Sequence, residues 1–325
     1  MSNIIGSFAL TWVLVTIIPS SLYAEAKHVI KFGHIANDQN VWNLAALKFK
    51  EIVEKNSNGK IEVKVYPNAQ LGKELDLING IQLGTADMTI TGESLQNWVP
   101  EAALMAVPYA IRDSIHLKKV ADGDIGKTIE RKILKRINLR PIGWFKRGPR
   151  HLTSNRPIVH PDDLKGMILR VPNVPIYVSV WKALGAKPTP MDFSEVFTSL
   201  QQGTIHGQEN PFALIKSSSF YEVQDFCNLT GHVISWIYVV IGEKKLKSLP
   251  KKLQLVVLDA GKEMQKYQHL IFKENEKNIE KELLEKGMTL IHSNKNAFQI
   301  KARKAVINSL NKNQLIIYKQ IVSIE

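Results

Sequence analysis

The chain has 325 residues, 44% of them hydrophobic, and 43 Lys and Arg against 30 Asp and Glu give it a formal net charge of +13. That length and apolar content exclude a disordered chain and leave room for about two domains. The lone cysteine, Cys227, excludes an intramolecular disulfide and cannot anchor a zinc site by itself; it reads as a small buried residue. The basic residues are spread along helical stretches rather than interleaved with aromatics on one face, which argues against a nucleic-acid partner while suiting small anions.

In chain order, residues 1–26 carry an apolar run from Phe8 to Ile18, then Pro19, small residues and Ala24-Glu25-Ala26. This is the pattern of a secretory signal, with cleavage after Ala24 or Ala26, and the run is shorter than the ~20 residues a membrane span needs. Strands and helices then alternate: "VIKFGHI", an amphipathic run Val41 to Lys55, "KIEVKVY", Glu74 to Leu83, and "ADMTIT". Such alternation predicts an α/β fold. "GDIGKT" at Gly123 to Thr128 lacks the glycine a phosphate loop requires, having Ala121 at that place. No nucleophile elbow, paired metal-spaced histidines or dinucleotide fingerprint appears.

"MILRV" places Arg170 inside an apolar strand, ended by Pro172. An arginine there is either at a surface edge, paired internally with an acid such as Asp192 or Glu195, or facing an anionic ligand whose carboxylate matches its planar fork. Arg150, opening "RHLTSNRP", points toward the same cleft in the last case. Asp192 and Glu195 are spaced as a capping box for the next helix, which Gly203 closes. "IQLGTAD" and "LQQGTIH" share that helix-ending pattern, at Gly84 and Gly203. Asn210 before Pro211 fits a helix N-cap. That leaves Gln208 and Glu209 as polar residues among apolar neighbours that need partners, either protein or ligand.

"WIYVVIG" from Trp236 reads as a buried strand, and Lys251 to Gly287 has helical periodicity throughout. Unbroken, that helix would reach roughly 50 Å and bridge two lobes. The polar patch Lys273 to Lys277 marks either the crossing or a break.

"DLKGMILRVP", "LGAKPTPMDFSEVFTSLQQGTIHGQENP" and "FYEVQ" together resemble the solute-binding proteins of tripartite ATP-independent periplasmic (TRAP) transporters, most densely from Arg150 to Val223. The resemblance implies a two-lobed periplasmic binding protein of type II-like build with a long bridging helix. Lobe I would hold 27–147 plus about 236–275, and lobe II 148–235 plus about 276–325. It further implies a monomer without cofactor or catalysis that captures an organic acid and delivers it to membrane permease subunits. By the same resemblance Arg170 pairs with the ligand carboxylate, with Asn210 and Arg150 completing the grip. Their spacing is similar to that in sialic-acid-binding relatives. Phe193 lines the pocket, and Glu93 and Glu74 of the other lobe touch polar parts of the ligand. His206 stands where relatives carry aspartate, which would make affinity depend on pH near 6 to 7. A sugar acid such as a uronate or sialic acid is favoured, with Trp181 pointing to that branch, and a C4-dicarboxylate is the alternative. A secreted enzyme using Glu74 and Glu93 as a carboxylate pair on acidic sugars is the rival class.

Overall fold

A computed structural model describes residues 28–325, so the expected signal segment and its cleavage site lie outside the described residues. The elements run β1 (His28–Gly33), α1 (Val41–Asn56), β2 (Ile61–Tyr66), α2 (Glu74–Leu83), β3 (Met88–Thr91), α3 (Ser114–Asp122), α4 (Asp124–Ile137), β4 (Leu139–Lys146) and β5 (Arg150–Ser154). They continue with β6 (Ile168–Val171), α5 (Pro175–Leu184), β7 (Lys187–Pro190), α6 (Val196–Gln201), β8 (Gly207–Pro211), α7 (Phe212–Ser217), β9 (Phe226–Val233) and β10 (Trp236–Gly242). The last are α8 (Glu243–Ser248), α9 (Lys251–Glu285), β11 (Thr289–Ile291), α10 (Lys295–Ser309) and α11 (Lys312–Ser323).

These strands form two mixed sheets, one ordered β2-β1-β3-β10-β4 and the other β11-β9-β5-β8-β6-β7. In the first, β10 pairs antiparallel with β3 and β4 and is buried along its whole length, which is why "WIYVVIG" carries no polar alternation. The chain passes between sheets at Arg147–Gly148–Pro149, after β4, and at Ile234–Ser235, after β9. Crossings this short confine relative motion of the two halves to a few hinge dihedrals.

The third crossing is α9, a continuous helix of 35 residues that runs through the polar patch Lys273 to Lys277 without a break. It packs on α1 and β4 at one end and on α7 at the other. Contact with β4 is backbone-close: a Cβ on Gly261 would sit 2.5 Å from the carbonyl oxygen of Ile142. At the open edge of β4, α9 supplies side-chain amides in place of a neighbouring strand. Gln265 Oε1 accepts from Trp144 N–H at 2.8 Å, while Gln268 accepts from Lys146 N–H and donates to Lys146 O, both at 3.1 Å. Buried backbone groups are thus satisfied up to the residue before the hinge.

Gly84 (φ 85°) and Gly203 (φ 68°) both adopt the left-handed conformation that ends a helix, as their shared pattern predicts. Residues 124–137, which include most of "GDIGKT", form helix α4. The C-terminal tail divides. Helix α10 packs along α5, whereas α11, expected with the second lobe, turns back to the helices over the first sheet. There Gln314 Nε2 donates to Pro100 O at 2.6 Å and the His116 ring meets Ile321 O at 2.9 Å. Cys227 is a buried core residue of the second sheet.

Candidate ligand-binding site

The cleft between the sheets is where the short crossings bring polar residues together. Arg170 points into it from β6, flanked in sequence by Leu169 and Val171, whose buried side chains anchor the strand. Arg170 is 3% exposed, yet among the described residues no carboxylate lies within ion-pair distance of it. Instead its Nε–H and Nη2–H both donate to Met191 O, at 2.9 and 2.7 Å, and its guanidinium lies 5.9 Å from the Phe193 ring centroid. Burial, only partly offset by Glu209, pulls its pKa down to about 10, which leaves it charged at neutral pH. A buried cation served by a neutral carbonyl is short of a counter-charge.

Asp192 and Glu195, the internal partners open from sequence, do not reach it. Both hold Lys73 from the other side of the cleft, at 3.0 and 2.6 Å. No capping box forms there, because Asp192 makes no side-chain cap bond and its carboxylate is turned to Lys73. Asn40, which caps α1 by accepting from Trp42 N–H, also donates to Ser217 Oγ of α7 at 3.0 Å, a second tie across the cleft.

Arg150 lines the same cavity, but its charge is spent within the protein. Its Nη2–H donates to Glu209 Oε1 at 2.6 Å and to Glu209 O at 2.7 Å, across the β5–β8 pairing. Burial alone would raise Glu209; Arg150 overrides it and, with the His232 ring at 2.8 Å, holds the carboxyl at about 2. Burial would conversely lower Arg150, and Glu209 keeps it raised. Glu209 is therefore answered by protein and not by a ligand. Gln208 and Asn210 emerge on the other face of β8, where Asn210 Nδ2 donates to Gln208 Oε1 at 2.6 Å and Gln208 donates on to Thr153 at 3.1 Å. Asn210 is a strand residue lining the cleft and not a helix cap; Pro211 takes that place before α7.

From the first sheet come Glu93 and Glu74. Glu93 Oε2 accepts from Arg147 at 2.7 Å, and Arg150 Nη1 lies 3.5 Å from its Oε1. Burial acts to raise Glu93, but Arg147 and Arg150 keep it below the usual carboxylate range. Glu74 accepts from Thr91 Oγ1 at 2.8 Å and is shifted the other way, by burial first and the Glu93 charge second. The structure thus brings Arg150, Arg170, Asn210, Phe193, Glu93 and Glu74 to one place, around two adjoining cavities of about 40 and 30 Å³. At ~10–15 Å³ per water these admit only a few waters, so the two halves are drawn together over the site.

Sequence reasoning missed Arg147 and Trp42, which both line the cavity, the Arg147 guanidinium lying 5.8 Å from the Trp42 ring centroid. The only signal was the pair of arginines in "KRGPR" around a Gly-Pro crossing. His206 is an exposed residue whose Nδ1 accepts from Ile168 N–H at 3.2 Å, outside the cavity lining. Trp181 is likewise elsewhere, buried edge-on against His232 at 4.9 Å.

A family model for bacterial extracellular solute-binding proteins, family 7 (DctP), matches residues 32–313. The chain is 52% identical over 297 residues to a solute-binding protein of Roseobacter denitrificans, covering 91% of each chain. It is 32% identical to the 2,3-diketo-L-gulonate-binding periplasmic protein YiaO of Escherichia coli, over 84% of this chain and 82% of that one. Among solved structures it superposes on a TRAP periplasmic solute-binding protein from Roseobacter denitrificans with bound L-galactonate. The TM-score there is 0.90 at 51% identity, over 92% of this chain and all (100%) of the other. Two α/β sheets joined by short crossings and a spanning helix, with the sequence match across nearly the whole chain, make this protein a member of the DctP family of solute-binding proteins.

Proposed function

We propose that this protein is the periplasmic receptor of a TRAP transporter and that it captures a sugar-acid monocarboxylate, with a six-carbon aldonate such as L-galactonate first among candidates. The carrying observation is Arg170, buried, charged and lacking a carboxylate partner among the described residues. The ligand carboxylate takes the place of the Met191 carbonyl on the guanidinium fork, where two parallel charge-assisted bonds are available. Asn210, Glu93 and Glu74 receive the hydroxyls, and Trp42 and Phe193 cover the carbon chain. The relative solved with L-galactonate supports an aldonate.

A second carboxylate would need a second uncommitted cation. Arg150 is held by Glu209, Arg147 by Glu93 and Lys73 by Asp192 and Glu195, which favours a monocarboxylate over a C4-dicarboxylate. The enzyme reading weakens on Glu93, whose clamp between two arginines removes it from proton transfer.

The lobes divide at the Arg147–Pro149 and Ile234–Ser235 crossings, and closure about them shields the ligand. Export by the N-terminal segment, delivery to membrane permease subunits and a monomeric state complete the reading; among the described residues no helix is long and apolar enough to cross a membrane. Calorimetry with L-galactonate, uronates, sialic acid and succinate tests it. One-to-one binding of an aldonate, returned chemically unchanged, is expected; tight succinate binding with none of any sugar acid would overturn it.

A further inference from the structure

A cavity of about 910 Å³ lies apart from the cleft. It lies behind the hinge, walled by Lys146–Pro149, by α9 through His269–Glu276, by the segment before α3 and by the start of α10. Its size is that of a drug-sized ligand site. Arg147 lines both this space and the front cavity.

Three of the basic side chains facing it have no counter-charge within the protein among the described residues. Asp113 is committed to capping α3, accepting from Ile115 and His116 N–H at 2.8 Å, and Arg112 donates to Val322 O at 3.1 Å and to Ile324 O. Lys146, Lys273 and Lys295 hold no ion pair among the described residues. Arg147 is 8% exposed and its guanidinium is paired with Glu93, while its Nε, the Tyr109 hydroxyl and Glu276 Oε1 are buried without a hydrogen-bond partner. Burial, reinforced by Glu280, pushes Glu276 up to about 7, so near neutral pH its carboxyl carries only part of a negative charge. Ile111, Ile234 and Phe272 add apolar wall.

We propose that this hinge cavity is a second binding site, for a small organic polyanion, held by Lys146, Lys273 and Lys295. Its walls come from both halves and from the crossing between them, so an occupant resists any rotation that narrows the space. The front cleft is drawn together while the hinge cavity is wide, and parting the halves in front closes the space behind. A bound polyanion therefore favours the closed receptor. The coupling to cargo rests on the proposed function; the site itself does not.

Inorganic pyrophosphate is the probe, titrated calorimetrically into the mature chain. One saturable site is expected, kept within twofold in Arg170→Ala and weakened at least tenfold in Lys273→Gln with Lys295→Gln. Lys262→Gln with Lys266→Gln makes the same charge change on an exposed face of α9 and should leave binding within twofold. No saturable binding, equal loss in both double variants, or loss in Arg170→Ala overturns the site. Small-angle scattering should show a smaller radius of gyration with pyrophosphate alone; an unchanged or larger one overturns the link to closure. Failure of L-galactonate to bind while pyrophosphate passes these tests would sink the aldonate reading and leave the hinge site standing.

Discussion

Arg170 gives both its Nε–H and its Nη2–H to one oxygen, the carbonyl of Met191. A carbonyl that fills a two-pronged fork by itself is easily displaced by a carboxylate, which offers two oxygens and a full charge. Arg170→Ala should weaken aldonate binding by about 2–5 kcal/mol, or roughly 30-fold to several thousand-fold. Arg170→Lys should also bind worse, since it keeps the charge and loses the fork. Calorimetry giving less than a threefold change for the alanine variant contradicts the assignment.

Glu209 behaves differently, because its partner is part of the fold. Glu209→Gln leaves Arg150, 1% exposed, facing a neutral amide in place of its main counter-charge. The expected cost is about 3–5 kcal/mol of folding stability, read as a fall in the denaturant midpoint. Were the midpoint unchanged, the pair would be dispensable to the fold and Arg150 free to serve the ligand.

Lys73 makes the opposite case. Its bonds to Asp192 and Glu195 span the cleft, but all three side chains are well exposed to water. Screened pairs of this kind are worth little. Lys73→Ala should lower aldonate affinity by less than about fivefold, mostly through faster release in stopped-flow measurements. A hundredfold loss would place Lys73 on the ligand.

Acidification should strain buried histidines before it reaches Glu209. His151 is held neutral by burial, its pKa lowered to about 3, whereas in the unfolded chain it takes up a proton near 6.5. Below pH 6.5 the unfolded state binds the extra proton, so His151 costs stability at about 1.4 kcal/mol per pH unit until about pH 3. The gap in melting temperature between wild type and His151→Gln should therefore shrink from pH 7 to pH 5. A constant gap would refute the neutral assignment. Glu209, depressed to about 2, has its stabilisation intact above the ordinary value of 4.5 and loses it only below that.

Gly261→Ala tests the seam between α9 and β4. The added methyl carbon would lie 2.5 Å from Ile142 O, a backbone atom that cannot turn aside. Overpacking of this kind costs about 1–3 kcal/mol, and thermal unfolding should report it; an unchanged melting temperature would mean the helix can stand off from the strand.

Much of this was legible in the chain, and for physical reasons. The all-apolar run from Trp236 demanded a strand buried on both faces, and it is the strand between β3 and β4. The periodicity from Lys251 demanded a helix longer than one small domain, and α9 runs unbroken through its polar patch. Arg170 stood out because charge inside an apolar strand needs an explanation. What sequence could not deliver was pairing across space. That Glu209 belongs to Arg150, and Asp192 to Lys73, depends on strand register and on the approach of two halves distant in sequence. Asn210 illustrates the limit: Asn-Pro is a good cap signal, but β8 continues through Pro211 and the amide turns to Gln208 instead. His206 misled for the same reason, since its neighbours in sequence reach the cleft while its own ring serves a strand end.

The return of α11 to the first sheet's side has a consequence for how the gene can be cut. The first sheet needs β10 from beyond residue 235, and the helices over it also hold the last turn of the chain through His116 and Gln314. No contiguous fragment contains one half complete without a strand of the other, so neither can be expressed alone as a soluble module. A reading frame truncated before residue 312 would leave a raw surface over residues 100–122, and a fusion partner spliced after Glu325 would sit against that same surface.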